Sequence, residues 1–216
     1  MAALCQGGLH EIKPHAYRDT PAGLGFILSV IAQALTNCRG PVLWCLTRAA
    51  GQEWGHPYGP GLLRAGLDPA RFLIVETRTD QESAWALEEG LKSGALAGCV
   101  AQLAIKTPLT ARRLGLAAQA AGTPCLLLSP HGAAEVPGTR SRWRIATEAS
   151  AHVPFDTSAP GTACWRLSLE RCRGAAPGAD FHMEASHEPD PLRVAAASSD
   201  RAAAGERGKR WHASAG

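Results

Sequence analysis

The sequence predicts an α/β protein with a mostly parallel sheet, flanked by helices and extended at its C-terminal side by antiparallel strands. Two observations carry this prediction. Apolar runs of strand length at 41–46, 71–76, 98–103 and 125–128 alternate with helical segments. Apolar strands separated by helices are typical of a parallel sheet that is covered on both faces. After about residue 139 the strands alternate apolar and polar residues, and no helix separates them, which favours antiparallel pairing.

The N-terminal part is predicted to join a strand to a helix through a long turn. Residues 9–12 are the strand, residues 14–25 are rich in Gly, Pro, Asp and Thr, and residues 26–35 form an apolar helix. Further along, residues 51–61 are predicted as loop and residues 62–67 as a short helix.

Two later helices carry clear start signals. Thr79 and Glu82 fit a capping box, in which the two side chains satisfy free amides of the first turn. Thr107-Pro108 opens the next helix, because proline at the first helical position gives up an amide that has no partner there. Gly122 ends that helix.

The C-terminal part is predicted to hold the antiparallel extension. Its strands are 142–145, 164–170 and 181–185, each with one wet face. From about residue 188 the chain has little to bury, so we expect a core domain over 1–187 and a disordered tail over 188–216.

Length, net charge and cysteine content limit the classes of protein to which this chain can belong. The 216 residues suffice for one sizeable core, and a net charge of +3 from 22 basic and 19 acidic side chains does not by itself imply nucleic acid. The chain opens without a secretory pattern and has no apolar run of about 18 residues, so we expect a cytoplasmic protein with reduced thiols among its seven cysteines.

The order of segments resembles the core of RecA-type recombinases. Residues 8–12 look like the strand that leads into the phosphate loop, and 26–35 look like the helix that follows it. Residues 109–128 resemble a later helix and strand, and 169–183 resemble the closing hairpin of that core. The resemblance implies a RecA-like core.

Within that superfamily the chain is identified as a member of the ImuA family. The matching segments, in order, are 9–11, 25–26, 42–44, 60–62, 66–71, 85–89, 112–114, 142–144 and 171–174. The resemblance implies a nucleoid-associated role in SOS mutagenesis and translesion DNA synthesis. Its implied partners are ImuB, which is a Y-family-like polymerase homologue, a second DnaE-type polymerase, and RecA. DNA would be contacted directly or through them.

The expected phosphate loop lacks the residues that bind phosphate. A working loop has two glycines with four residues between them, then Lys and Ser/Thr. Here Leu24 and Phe26 stand where a lysine and a hydroxyl are needed. What remains of the region is Lys13, Arg18, Gly23 and Gly25. Two readings stay open: a weakened nucleotide site that uses Lys13 or Arg18, and a segment with a structural role alone.

Two further positions support the second reading. The strand that should end in an acidic metal-holding residue offers Gln102, and the position of a polar phosphate sensor holds Ser129-Pro130. Metal is not expected either, because Cys164 and Cys172 would lie roughly 26 Å apart on a straight strand. We therefore expect no cofactor, no metal and no catalytic residue.

Basic residues near two tryptophans, Trp143 and Trp165, are the candidates for contact with DNA or with a partner protein. Arg142 and Arg144 share a strand face opposite Trp143, with Arg140 before them. The full candidate set is Arg112, Arg113, Arg142, Trp143, Arg144, Arg171 and Arg173. The alternative is that the tryptophans face the core and the arginines face water.

Three functions follow from this pattern. The favoured one is a non-catalytic, RecA-like accessory protein of a translesion synthesis complex. An active DNA-dependent ATPase would need an intact phosphate loop. An SOS-induced inhibitor of cell division would share the fold class and differ in its cellular effect.

Overall fold

The computed structural model describes residues 2–36, 38–150, 161–174, 178–185 and 192–197. Its strands are β1 (Gly8–Pro14), β2 (Val42–Thr47), β3 (Phe72–Thr77), β4 (Gly98–Gln102), β5 (Pro124–Leu128), β6 (Ser141–Glu148), β7 (Cys164–Cys172), β8 (Asp180–Ala185) and β9 (Leu192–Ala197). Its helices are α1 (Thr20–Leu35), α2 (Arg48–Trp54), α3 (Gly59–Arg64), α4 (Asp80–Lys92) and α5 (Pro108–Ala121), with short 3-10 turns at Ala2–Cys5, Tyr17–Asp19 and Pro69–Arg71.

The described strands form one sheet in the order β3-β2-β4-β5-β1-β6-β7-β8-β9. The strands from β3 to β6 are mutually parallel, and β7, β8 and β9 add antiparallel. This confirms the predicted fold class. The boundary between the parallel and antiparallel parts of the sheet differs from the prediction. Strand β6 pairs in parallel with β1 on one edge, and the antiparallel extension begins where β7 pairs with its other edge.

The helices cover the two faces of the sheet unequally. One core cluster gathers α1, the apolar side of β2 that holds Trp44, and Trp143 and Trp165 from β6 and β7. The other gathers α4 and α5 over the opposite side of β2, where Cys45 points. Alternate side chains of a buried strand therefore serve two separate cores.

Helix α1 begins six residues earlier than predicted. The prediction of a turn over 14–25 is wrong, because Thr20 already opens the helix and Pro21 sits in its first turn, where a missing amide is tolerated. Gly23 and Gly25 are therefore helical residues. A Cβ on Gly23 would lie 2.7 Å from Leu128 Cδ1, so this glycine lets α1 approach the sheet closely.

The predicted loop over 51–61 is also largely helical. Thr47 caps α2 by accepting a hydrogen bond from the Ala50 amide at 3.2 Å, and α3 begins at Gly59. The predicted N-cap of α4 and the predicted end of α5 are confirmed, but the capping box is half formed, because Glu82 accepts from the Arg78 amide at 2.9 Å and not from the Thr79 amide. Thr79 accepts from the Glu82 amide, and Gly122 ends α5 in the left-handed conformation with a φ of 66°.

A strand lies within the segment that was predicted as a disordered tail. Leu192–Ala197 pairs antiparallel with β8, whose outer edge offers backbone groups that need partners. Residues 198–216 lie outside the described residues, so the tail prediction stays untested there. Across the described part of the chain, no helix has both the length and the apolarity that crossing a bilayer requires.

Candidate functional site

A cavity lies at the carboxyl edge of the sheet, where open parallel sheets usually bind their ligands. The ends of β4 and β5 meet the first turn of α1 around a volume of about 320 Å³. Helix α2 closes it on one side with Ala49 and Trp54. We name this space the carboxyl-edge cavity. Tyr17 and Thr20 bring to this cavity the segment between β1 and α1, which is where RecA-type recombinases have their phosphate loop.

Two of the residues that line the carboxyl-edge cavity are acidic. Glu53 and Asp80 line it, and none of its described lining residues is Lys or Arg. The Tyr17 hydroxyl donates a hydrogen bond to Glu53, which raises the pKa of Tyr17. Asp80 accepts from the Ala104 amide at 3.1 Å and lies 3.3 Å from Lys106 Nζ. A triphosphate entering here would meet carboxylates.

The connection between β1 and α1 is built around a buried carboxylate. It holds only the five residues 15–19, and Asp19 accepts from the Ala16 amide at 2.9 Å and from the Thr147 amide at 3.0 Å. Burial alone would raise the pKa of Asp19, but the hydrogen bonds from Thr147 and Ala16 outweigh it and the pKa is lowered. Asp19 thus places negative charge at the start of α1, which favours the helix and opposes a second anion.

The two cations suggested for a weakened nucleotide site lie elsewhere. Lys13 is 6% exposed, and its Nζ donates to the Ala133 carbonyl at 2.7 Å. Arg18 is exposed on the short 3-10 turn. Neither side chain lines the carboxyl-edge cavity.

The sequence also lacks the expected residues at the metal-holding and phosphate-sensing positions. The polar side chains found there, Gln102 and Ser129, have hydrogen-bond partners inside the protein. Gln102 is buried, and its Oε1 accepts from the Trp44 indole N–H at 2.8 Å. Ser129 Oγ donates to Glu11 at 2.9 Å. Both polar side chains therefore satisfy buried groups of the core, even though they stand at the mouth of the cavity.

One of the candidate arginines is part of the interior. Arg142 is 6% exposed, its Nε lies 2.7 Å from Glu11, and its guanidinium also pairs with Glu135 and the Val136 carbonyl. It therefore offers no surface to DNA. The sequence holds one signal for this ion pair. Glu11 lies within a predicted strand of the sheet, and a charge that the sheet buries requires a partner.

Three more of the candidates also have internal partners. Trp143 is buried and donates to Ser141 Oγ at 3.0 Å, so it faces the core as the alternative interpretation held. Arg144 pairs with Glu170, and Arg113 lies 2.8 Å from Glu88. The carboxylates beside Arg144 and Arg113 reduce the charge that these two arginines could present to a ligand, and Trp143 offers no exposed ring.

Two of the three remaining candidates line one space. Arg112 on α5 and Arg173 after β7 line a second space of about 320 Å³, together with Arg140 before β6. Arg171 is exposed on β7 outside this lining. We name the second space the arginine groove. The sequence could not assemble it, because its three arginines are separated by 28 and 33 residues along the chain.

The comparisons with known proteins address family and fold. No protein-family model matches the chain. Protein ImuA from two strains of Caulobacter vibrioides, NA1000 / CB15N and ATCC 19089 / CIP 103742 / CB 15, is 33% identical over 220 residues, which covers 95% of this chain and 87% of each relative.

Two solved structures resemble the chain to different degrees. The RadB recombinase gives a TM-score of 0.59 at 12% identity, over 88% of this chain and 92% of its own. SulA from Pseudomonas aeruginosa gives a TM-score of 0.41 at 21% identity, over 56% of this chain and 96% of its own, too low to establish a shared fold. The core is RecA-like, as RadB indicates, and from its likeness to the Caulobacter proteins over nearly its whole length the chain belongs to the ImuA family.

Proposed function

We propose that this chain is a non-catalytic accessory protein of a damage-induced translesion DNA synthesis complex, acting in DNA repair and SOS mutagenesis. Membership of the ImuA family supports the pathway. The proposed partners are ImuB, a second DnaE-type polymerase and RecA, with DNA contacted by this chain or through them. The proposed setting is the nucleoid.

The charge of the carboxyl-edge cavity is the observation that carries the non-catalytic role. A phosphate bound there would have Glu53 and Asp80 in the wall and no lysine or arginine from the described lining. Each missing charge-assisted hydrogen bond removes roughly 1.5–3 kcal/mol of binding free energy. Several such losses leave too little for nucleotide binding at cellular concentration.

Catalysis would suffer more than binding. Phosphoryl transfer depends almost wholly on positioned cations and a bound metal ion. At the metal-holding position Gln102 is engaged by Trp44, and at the phosphate-loop position Asp19 is engaged by two backbone amides. Because Gln102 and Asp19 form hydrogen bonds within the protein, we expect the RecA-like core to act as a scaffold for partners.

The test is genetic complementation with a cavity-filling variant. Deleting the gene is expected to abolish most damage-induced mutations, and the wild-type gene is expected to restore them. Ala49 is exposed on α2 and lines the cavity, so Ala49→Trp would fill the space without disturbing the core. We expect Ala49→Trp to restore mutagenesis as well as the wild type does.

Two outcomes would overturn the proposal. An unchanged mutation frequency after deletion would remove the mutagenesis role. Failure of Ala49→Trp at a normal protein level would show that the carboxyl-edge cavity has a ligand. Overproduction serves as a check on the rival class, because a division inhibitor would cause filamentation without any effect on mutation frequency.

A further inference from the structure

We infer that the arginine groove binds the phosphate backbone of DNA without reading its sequence. This inference deepens the proposed function and rests on it for the choice of DNA as ligand. Arg112, Arg140 and Arg173 line the groove, and no Asp or Glu is present among its described lining residues. The surface is therefore positive with no internal counter-charge.

Two of the three guanidinium groups are available for a ligand. Among the described residues, the side chains of Arg112 and Arg173 form no hydrogen bond or ion pair. By contrast, Arg113, which follows Arg112 in sequence, is paired with Glu88, and Arg142 is paired with Glu11. The groove thus concentrates cationic groups that the fold itself does not use.

The third arginine is held in place at the base of the groove. Arg140 Nη1 donates to the Gly7 carbonyl at 3.2 Å, and its other terminal nitrogen donates to Gln6. The Arg140 carbonyl in turn accepts from the Arg173 amide at 2.8 Å. These contacts fix the backbone positions of two arginines relative to each other, which lowers the entropy lost when a ligand binds.

Glycine at the start of β1 makes room for this arrangement. Gly8 has a φ of +142°, and a Cβ there would lie 3.0 Å from Cδ of Arg140. A side chain at this position would push Arg140 away from the strand. The groove therefore depends on a backbone conformation that L side chains rarely adopt.

The length and lining of the groove fit the phosphodiester backbone of a nucleic acid. The groove follows α5 from Pro108 to Gln119, which is about 16 Å at 1.5 Å per residue. One DNA strand carries a charge every 3.4 Å or so along a duplex, so roughly four or five phosphates span that length. Guanidinium forks match phosphate oxygens in pairs.

The chemistry of the lining also predicts how DNA would be bound. No Trp, Tyr or Phe is found in the described lining, so bases have no aromatic surface on which to stack. Binding through phosphates alone gives little preference between sequences and strong dependence on salt. We expect duplex and single-stranded oligonucleotides to bind with similar affinity.

The test is a fluorescence anisotropy titration of the full chain with labelled oligonucleotides between about 50 and 200 mM salt. At the lowest salt concentration, the double variant Arg112→Gln/Arg173→Gln is expected to bind at least about tenfold more weakly than the wild type. Its plot of log affinity against log salt is expected to be shallower by about 2, since two phosphate contacts are lost. The matched control is Arg39→Gln/Arg64→Gln, which removes two exposed arginines away from the groove. It is expected to bind within about twofold of the wild type.

Several results would overturn the inference. Wild-type protein that does not bind oligonucleotides, or groove and control variants that weaken binding equally, would exclude the groove as the DNA site. Displacement of the oligonucleotide by ATP or by an acidic peptide at lower concentration would assign it to another ligand. If the groove variant restores damage-induced mutagenesis while wild-type protein binds no DNA, the groove assignment fails and the accessory role stands.

Discussion

The carboxyl-edge cavity and the arginine groove have similar volumes and opposite charge. The cavity, at the usual ligand edge of the sheet, presents Glu53 and Asp80. The groove, along α5, presents Arg112, Arg140 and Arg173. In this RecA-like fold the sheet depends on buried strands, whereas the charge of each space depends on a few residues at the ends of those strands or on a neighbouring helix.

The largest expected effect separates the buried Arg142 from the exposed Arg171. Arg142→Ala leaves the buried carboxylate of Glu11 without its charged partner, so we expect the free energy of unfolding to fall by about 3–5 kcal/mol. Chemical denaturation measures this directly. Arg171→Ala is the matched control, since Arg171 faces Arg142 across the strand pair but is exposed, and its change should stay within about 0.5 kcal/mol.

The next largest effect concerns the carboxylate at the start of α1. Asp19→Asn replaces an ion that accepts two amide hydrogen bonds, and we expect a loss of about 1.5–3 kcal/mol at neutral pH. Thermal unfolding across pH checks the sign. The pKa of Asp19 is lowered, so its contribution is present above its unfolded pKa of about 3.9 and is lost as pH falls through the folded value.

The pH dependence of the Asp19→Asn effect can contradict the role described for Asp19. The difference in unfolding free energy between wild type and Asp19→Asn should shrink below about pH 4. A difference that grows with acidification would mean that Asp19 is not the ionised acceptor described above.

A smaller effect is expected at the wall of the carboxyl-edge cavity. Gln102→Leu leaves the Trp44 indole N–H buried without its acceptor, which costs about 1–3 kcal/mol. Trp44→Phe and the double variant complete a double-mutant cycle, in which the double variant should lose less than the sum of the two single losses. Additive effects would indicate that Gln102 has no structural partnership with Trp44.

The smallest effect on stability is expected in the arginine groove. Arg112→Gln removes an exposed guanidinium with no partner among the described residues, so unfolding free energy should change by less than about 0.5 kcal/mol. The same variant is expected to weaken oligonucleotide binding. A large loss of stability would place Arg112 with Arg142, as a structural residue.

Local signals predicted much of the fold. The apolar strands, the Thr79 and Thr107 caps and the stop at Gly122 follow from short-range chemistry, and each is confirmed. The start of α1 was misplaced because Gly23 and Gly25 usually indicate a turn. Here they give α1 close packing against Leu128 and Trp165, which only the tertiary structure can show.

The candidate sites were harder to predict than the fold. Missing lysine and acidic residues could be noticed along the chain, but the internal partners of Gln102 and Lys13 depend on residues 58 and 120 positions away. Arg142 looked like a surface arginine because β6 alternates, whereas pairing with β1 on one edge and β7 on the other buries it. Long-range pairing decided each case.

The central claim is that the carboxyl-edge cavity has lost nucleotide binding. Equilibrium dialysis of the purified full chain against ATP with magnesium tests it most directly. We predict no saturable binding at micromolar ATP, with or without Ala49→Trp. Saturable micromolar binding that Ala49→Trp abolishes would contradict the account, because it would require the acidic wall of Glu53 and Asp80 to accept a triphosphate.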